Sequence, residues 1–286
     1  MIFLLLSILF STGLFVIFKY FGIYKIDVLK AIFVNYIVAF SMGFFFAERQ
    51  IPISEIYLEA WFFGALFLGV LFVSIFFVMA MTAQKNGVSV TSIAGKMSVV
   101  VPVIFGIILY NESVTFLKIV GILIALVAVY LSSVKDGQSE KKGTLLFPIL
   151  LFIGSGVIDT TLKFIQQNYV APEDVSIFSG SLFGIAGVFA FFILIIKTIR
   201  KRESFGYKNI IAGIILGIPN YYSIIFLIKA LQNENFESST LFTINNVAIV
   251  VVSTLVGLLF FKEKFSIKNK IGVAMAILGI ILVTIA

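Results

Sequence analysis

The sequence contains no cysteine and no histidine among its 286 residues. Without cysteine there are no disulfide staples and no thiol chemistry. Without histidine there is no imidazole for metal ligation or for general acid–base catalysis. Charge is scarce as well, at 12% of residues, about half the share of an ordinary soluble domain. Apolar residues fill the space: 60% of the chain is hydrophobic and the mean hydropathy is +1.14. Such a chain needs lipid as its solvent. The formal net charge of +7 raises nucleic acid as a partner, but the basic residues stand in short connections between apolar runs. Membrane topology accounts for them there, and no nucleic-acid partner is expected.

A helix needs about 20 apolar residues to cross a hydrocarbon core of roughly 30 Å. Runs of that kind cover 2–20, 30–47, 60–81, 88–110, 114–134, 144–167, 175–197, 208–230, 238–261 and 268–286. The expected fold is therefore an all-α integral membrane protein with ten transmembrane helices. The opening MIFLLLSILFSTG resembles a signal peptide but has no positive start and no small-residue cleavage site, so it reads as the first spanning helix. Lysine and arginine crowd the odd-numbered connections, while the even-numbered ones hold Arg49, Lys118 and acids such as Glu48, Glu55, Glu173 and Asp174. That bias puts the odd connections in the cytoplasm and both termini outside.

The chain reads as one unit written twice. Gly106, Glu112 and Gly121 recur as Gly257, Glu263 and Gly272, and Ser11 and Lys19 recur as Ser155 and Lys163. The polar stretch at 135–142 separates residues 1–134 from 143–286, each with five spans. An odd number of crossings turns the second copy upside down in the bilayer. Inverted repeats of this kind are the usual architecture of alternating access. Each glutamate stands at a hairpin, just before the next helix, where it can accept from free backbone amides and complement the dipole. Gly121 and Gly272 allow close helix approach.

The pattern of a kinked helix, a glycine, a glutamate at the hairpin and a glycine-led apolar helix, present in both halves, resembles the EamA domain of the drug/metabolite transporter superfamily. The resemblance covers essentially the whole chain. It implies two inverted five-helix repeats forming a ten-helix basket around a cavity that moves small metabolites such as amino acids.

Ionisable groups within the hydrocarbon cost about 2.5–3.5 kcal/mol each, so those present invite a reason. Lys96 lies in the fourth span with no acid three or four residues away; it either faces a cavity or pairs with Asp159. Asp159 and Lys163 in the sixth span share one face, as a neutralising pair or as part of a proton or substrate pathway. Uncharged polar candidates are Asn35 in the second span, Asn220, Tyr221 and Tyr222 in the eighth, and Asn245 and Asn246 in the ninth. Each alone is as well explained by helix–helix bonding. Together they are what a wet interior requires.

The expected function is a secondary carrier of small polar metabolites, an amino-acid or organic-acid exporter in the bacterial inner membrane. Its partners are the small-molecule substrate, membrane lipid and protons as a coupling ion, and it acts as a monomer or homodimer. The first span carries no acid, which departs from the cation-holding pattern of the small multidrug resistance relatives. Multidrug efflux and a non-transporting scaffold are the alternatives. No nucleotide loop and no catalytic or metal cluster appears, so no cofactor and no enzyme activity are expected.

Overall fold

Lipid offers a backbone amide no hydrogen-bond partner outside its own helix, and the apolar runs fold accordingly. The computed structural model describes residues 2–47, 51–101, 104–105, 115–133, 145–201, 205–231 and 238–285. Among them stand ten α-helices and no strand: α1 (Ile2–Ile23), α2 (Val28–Phe45), α3 (Phe62–Lys85), α4 (Val88–Met97), α5 (Phe116–Ser133), α6 (Leu146–Tyr169), α7 (Val175–Lys201), α8 (Tyr207–Leu231), α9 (Ser238–Leu259) and α10 (Ile267–Ile285). Stretches of α1, α2, α3, α7 and α8 are long and apolar enough to cross a membrane, with mean hydropathies of 1.8 to 2.6. Gly106, Glu112 and the linker 135–142 lie outside the described residues.

One expected span is corrected. The fourth run does not continue as a single helix to residue 110: α4 ends at Met97, and Ser98 and Val99 form a turn before helical residues resume at Val100. The sequence supplies the cause in Pro102, four residues beyond Ser98. Proline has no N–H to give the Ser98 carbonyl, and in a continued helix its ring would crowd that oxygen. The carbonyl instead accepts from Val101 N–H at 2.9 Å, a tighter turn.

The chain forms two compact units, each drawing on both sequence halves. The first comprises Met1–Tyr20, Val78–Asp159 and Tyr222–Ala286. In it α5 packs along α10, and α4 lies against both α5 and α9. Gly272 permits the first of these approaches, since a Cβ there would lie 2.7 Å from Ser132 N. A reciprocal Ser266–Asn269 cap starts α10, and Asn269 Nδ2 also donates to the Leu131 and Ser132 carbonyls at the end of α5.

Glu263 does not cap its own helix. Its Oε1 accepts from Val88 N at 2.8 Å and its Oε2 from Ser89 Oγ at 3.3 Å, so it caps α4 from 175 residues away. Lys19 Nζ stands 3.8 Å from the same carboxylate. Two glycines make room for it. A Cβ on Gly87, where φ is +113°, or on Gly257 would come within 2.5 Å of a Glu263 oxygen. The Gly257–Glu263 element of the repeat thus supplies a remote helix cap, a contact worth about 1 kcal/mol in ordinary settings.

The second unit comprises Phe21–Phe77 and Thr160–Tyr221. Here α2 is embraced by the glycine faces of α7 and α8. A Cβ on Gly43 would lie 2.5 Å from Gly180 Cα, and one on Gly217 would lie 3.0 Å from the Asn35 carbonyl oxygen. Asp27 caps α2 by accepting from Leu29 N and Lys30 N. Its other carboxylate oxygen accepts from Lys197 Nζ at 2.6 Å and lies 3.6 Å from Lys30 Nζ.

Burial alone would raise the Asp27 pKa. The Lys197 hydrogen bond and charge, with the Lys30 amide and charge, outweigh it and hold the carboxyl below its ordinary 3.8. A carboxylate held down in the folded state stabilises the fold above the unfolded pKa, and that contribution fades as pH falls through the folded value. The thermal midpoint in detergent should therefore show no Asp27-dependent change from pH 5 to 7 and a loss below about pH 4. Asp27→Asn, compared with wild type across a pH series, should lack that component of the acid loss.

Candidate functional site

The break in α4 and the inward stripe of α6 meet in the first unit. Lys96 occupies the last turn of α4, half-buried, one residue before the helix stops. Asp159 lies on the stripe of α6 that runs through buried Pro148 and Phe152, opposite the lipid-facing side of Leu146, Ile149 and Ile153. Asp159 is nevertheless exposed. A carboxylate left exposed on a membrane helix has to find water or a partner charge, because lipid does not accommodate it. Lys96 and Asp159 interact electrostatically without closing to a contact ion pair.

Ser98 joins them. Its hydroxyl lies 2.6 Å from the Gly95 carbonyl oxygen and 3.1 Å from Asp159 Oδ2. A hydroxyl has one proton, so it can donate to only one of the two acceptors at a time. Gly156 brings the chains together: a Cβ there would collide with Val101 and lie 2.9 Å from the Ser98 carbonyl oxygen. A search of the sequence for ionisable and amide side chains passes Ser98 by. Its signal is its position, four residues before Pro102 and two after Lys96. Among the described residues, no group of acidic side chains is placed to hold a metal ion.

The other sequence candidates fall into distinct settings. Lys163 lies on α6, but its side chain is outside the described set. Asn245, in α9, is buried with an unpartnered Oδ1, while Asn246 beside it is half-buried. Tyr222 packs with Phe10 and Phe226 at ring-centre distances of 5.9 and 5.3 Å. In the second unit Asn220 Nδ2 donates to Asn35 Oδ1 at 3.1 Å, leaving Asn35 Nδ2 without a hydrogen-bond partner. Tyr221 is buried and its ring stacks on Phe46. Structure thus brings together Lys96 with Asp159, and Asn35 with Asn220.

A second polar line in the first unit has no counterpart among the sequence candidates. Ser253 of α9 donates to Ser92 of α4, and Ser89, one turn earlier, donates to Glu263. These residues tie α4 to the α9–α10 hairpin. In the second unit Lys30, which the sequence offers only as one more basic residue near a span end, is buried beside Asp27.

Comparison with known proteins assigns the whole chain. The EamA-like transporter family matches residues 1–134 and 146–285. An uncharacterized protein of Haemophilus influenzae is 27% identical over 207 residues, covering 71% of this chain and 68% of its own. A protein of known crystal structure superposes with a TM-score of 0.55 at 13% identity, covering 97% of this chain and 98% of that one; this likeness concerns the fold. The protein is a multi-pass membrane transporter with the two-repeat helical fold, and it belongs to the EamA-like transporter family.

Proposed function

We propose that the protein is a secondary carrier of small zwitterionic metabolites, an amino-acid exporter of a bacterial inner membrane that works by alternating access. The observation that supports this reading is the break in α4, where Ser98 bonds Asp159 at 3.1 Å and Lys96, two residues earlier, makes no contact ion pair with it. A fully joined pair would satisfy itself. A separated pair at the break offers one charge to a carboxylate and the other to an ammonium. In this reading Lys96 holds the substrate carboxylate and Asp159 the ammonium. Asn245 and Asn246, in the same unit, add polar wall. An organic acid would use Lys96 alone.

Asp159 is also the natural carrier of a coupling proton. When it is ionised, Ser98 donates to it and the Gly95 carbonyl goes without; when it is protonated, Asp159 donates to Ser98, and Ser98 donates to Gly95. Both protonation states therefore have a complete local arrangement for Asp159 itself. The interruption of α4 supports the same reading, since broken helices in carriers place free backbone groups at a substrate site.

The test is counterflow in proteoliposomes against pooled amino acids, organic acids and sugars. Lys96→Ala should abolish flux while the variant still elutes as folded protein in detergent. Unchanged transport by that variant would remove Lys96 from the site, and flux confined to organic cations would favour multidrug efflux.

A further inference from the structure

Helix α4 is enclosed on nearly every side. Eight of its ten residues are buried, and the two that are not are neighbours, Gly95 and Lys96. No residue of the helix is fully exposed, so the access at this pair opens into the protein and not onto a lipid-facing stripe. A Cβ built on Gly95 would meet nothing within 4 Å among the described residues.

Open space of this kind is unusual for a glycine in this chain. The helical glycines stand mostly where another helix leaves no room: a Cβ on Gly43, Gly156, Gly213 or Gly272 would come within 2.7 Å of a neighbouring atom. Among the described residues, Gly13 is the other helical glycine that would meet nothing, and it stands one turn from Leu9, 60% exposed on a membrane-crossing helix. Lipid fills the space there. Gly95 has no such neighbour, since Thr91, Ser92 and Ser98, one turn to either side, are at most 1% exposed. Glycine is a poor helix former, and an alanine methyl would collide with nothing. Folding alone therefore does not ask for glycine at this position.

The open space lies beside both charges. The Ser98 hydroxyl stands 2.6 Å from the Gly95 carbonyl oxygen and 3.1 Å from Asp159 Oδ2, and Lys96 is the next residue along the chain. The preceding turn offers no hydroxyl proton, because Thr91 commits its own to the Gly87 carbonyl and Ser92 to that of Ser89. A group resting on Gly95 meets bare backbone and is sorted by its bulk. We infer that Gly95 sets the size limit of the cargo, its missing side chain leaving room for the apolar side chain of an amino acid held by Lys96 and Asp159. That assignment rests on the zwitterion reading of the pair and adds what the reading leaves open, the substituent between the two charged groups.

Counterflow of leucine and of glycine by Gly95→Ala and Gly95→Val in proteoliposomes tests this. Each variant should lower the leucine-to-glycine ratio, by about tenfold for alanine and further for valine, since one methylene in a fitted pocket is worth about 10–200-fold. A structural disturbance would slow both cargoes alike, and an unchanged ratio overturns the inference. If the ratio is unchanged while Lys96→Ala is inactive, the Gly95 assignment falls alone. If Lys96→Ala is fully active, or wild type moves neither amino acid, the reading of the pair falls and takes this inference with it. The chain holds no cysteine, so the space has a test of its own. Gly95→Cys should react with methyl methanethiosulfonate at least about tenfold faster than Ala94→Cys at the fully buried neighbouring position, and leucine should slow that reaction. Equal rates at the two positions overturn the inference. Gly95→Ala should elute with wild type; a misfolded Gly95→Ala would mean that the space is filled, which overturns it too.

Discussion

Gly43→Leu should yield almost no monodisperse protein on size exclusion in detergent, whereas Gly13→Leu should elute like wild type. The contrast follows from what each side chain would meet. A Cβ on Gly43 falls 2.5 Å from Gly180 Cα, 2.9 Å from Gly180 N and 3.2 Å from the Ser176 carbonyl oxygen. All three atoms are backbone, so no side chain can swing away, and leucine would have to push α2 off α7. Overpacking in a tolerant core costs about 1–3 kcal/mol, and total stabilities are about 5–15 kcal/mol. Here the relief is worse than in water-soluble cores. Lipid tails are as apolar as the helices, so close van der Waals contact between small residues is what holds the pair, and separation forfeits it. At Gly13 nothing lies within 4 Å of the added Cβ, and the change also removes a poor helix former.

Asp159→Asn should reduce counterflow of amino acids by at least about thirtyfold, while flux of a simple organic acid survives. In a contact closed around its substrate, removing one charge costs about 2–5 kcal/mol, and each 1.36 kcal/mol is about tenfold. The asparagine keeps the shape and can still engage Ser98, so the fold at Gly156 is undisturbed. What it loses is the partner for a substrate ammonium. Lys96 remains for a carboxylate. Parallel counterflow of one amino acid and one organic acid of similar size, at matched pH, reads the difference. Equal loss for both cargoes would reassign Asp159 to proton coupling alone, and equal retention would take it out of the site.

Much of the fold is legible in the sequence because lipid imposes a single solution on an apolar run. Nine of the ten expected spans correspond to helices whose ends shift by a few residues. The fourth run fails at a residue visible in advance: Pro102 withdraws a donor from Ser98, but whether a proline bends a helix or stops it depends on what can satisfy the freed carbonyl. Lys96 and Asp159 stand out for their rarity, and their interaction is one of the two readings that the sequence leaves open for Lys96. Glu263 misleads because its position just ahead of α10 suggests a local cap, while its partner Val88 lies 175 residues earlier. The clue lies in Gly87 and Gly257, whose missing side chains make room for it, and nothing in their spacing announces a common neighbour. Gly43 and Gly180 are silent for the same reason: a contact between two bare backbones leaves no periodic trace.

The remote cap makes α4 a lever. Its first residue is pinned by a carboxylate from the α9–α10 hairpin, steadied by Lys19 and by the Ser92–Ser253 bond. Its last turn ends at a break and carries Lys96 on an arm of about 12 Å. A tilt of about 10° about the pinned end moves that ammonium by about 2 Å. The fulcrum belongs to the second copy of the sequence and the load to the first, so a shift of the α9–α10 hairpin would be felt at Lys96.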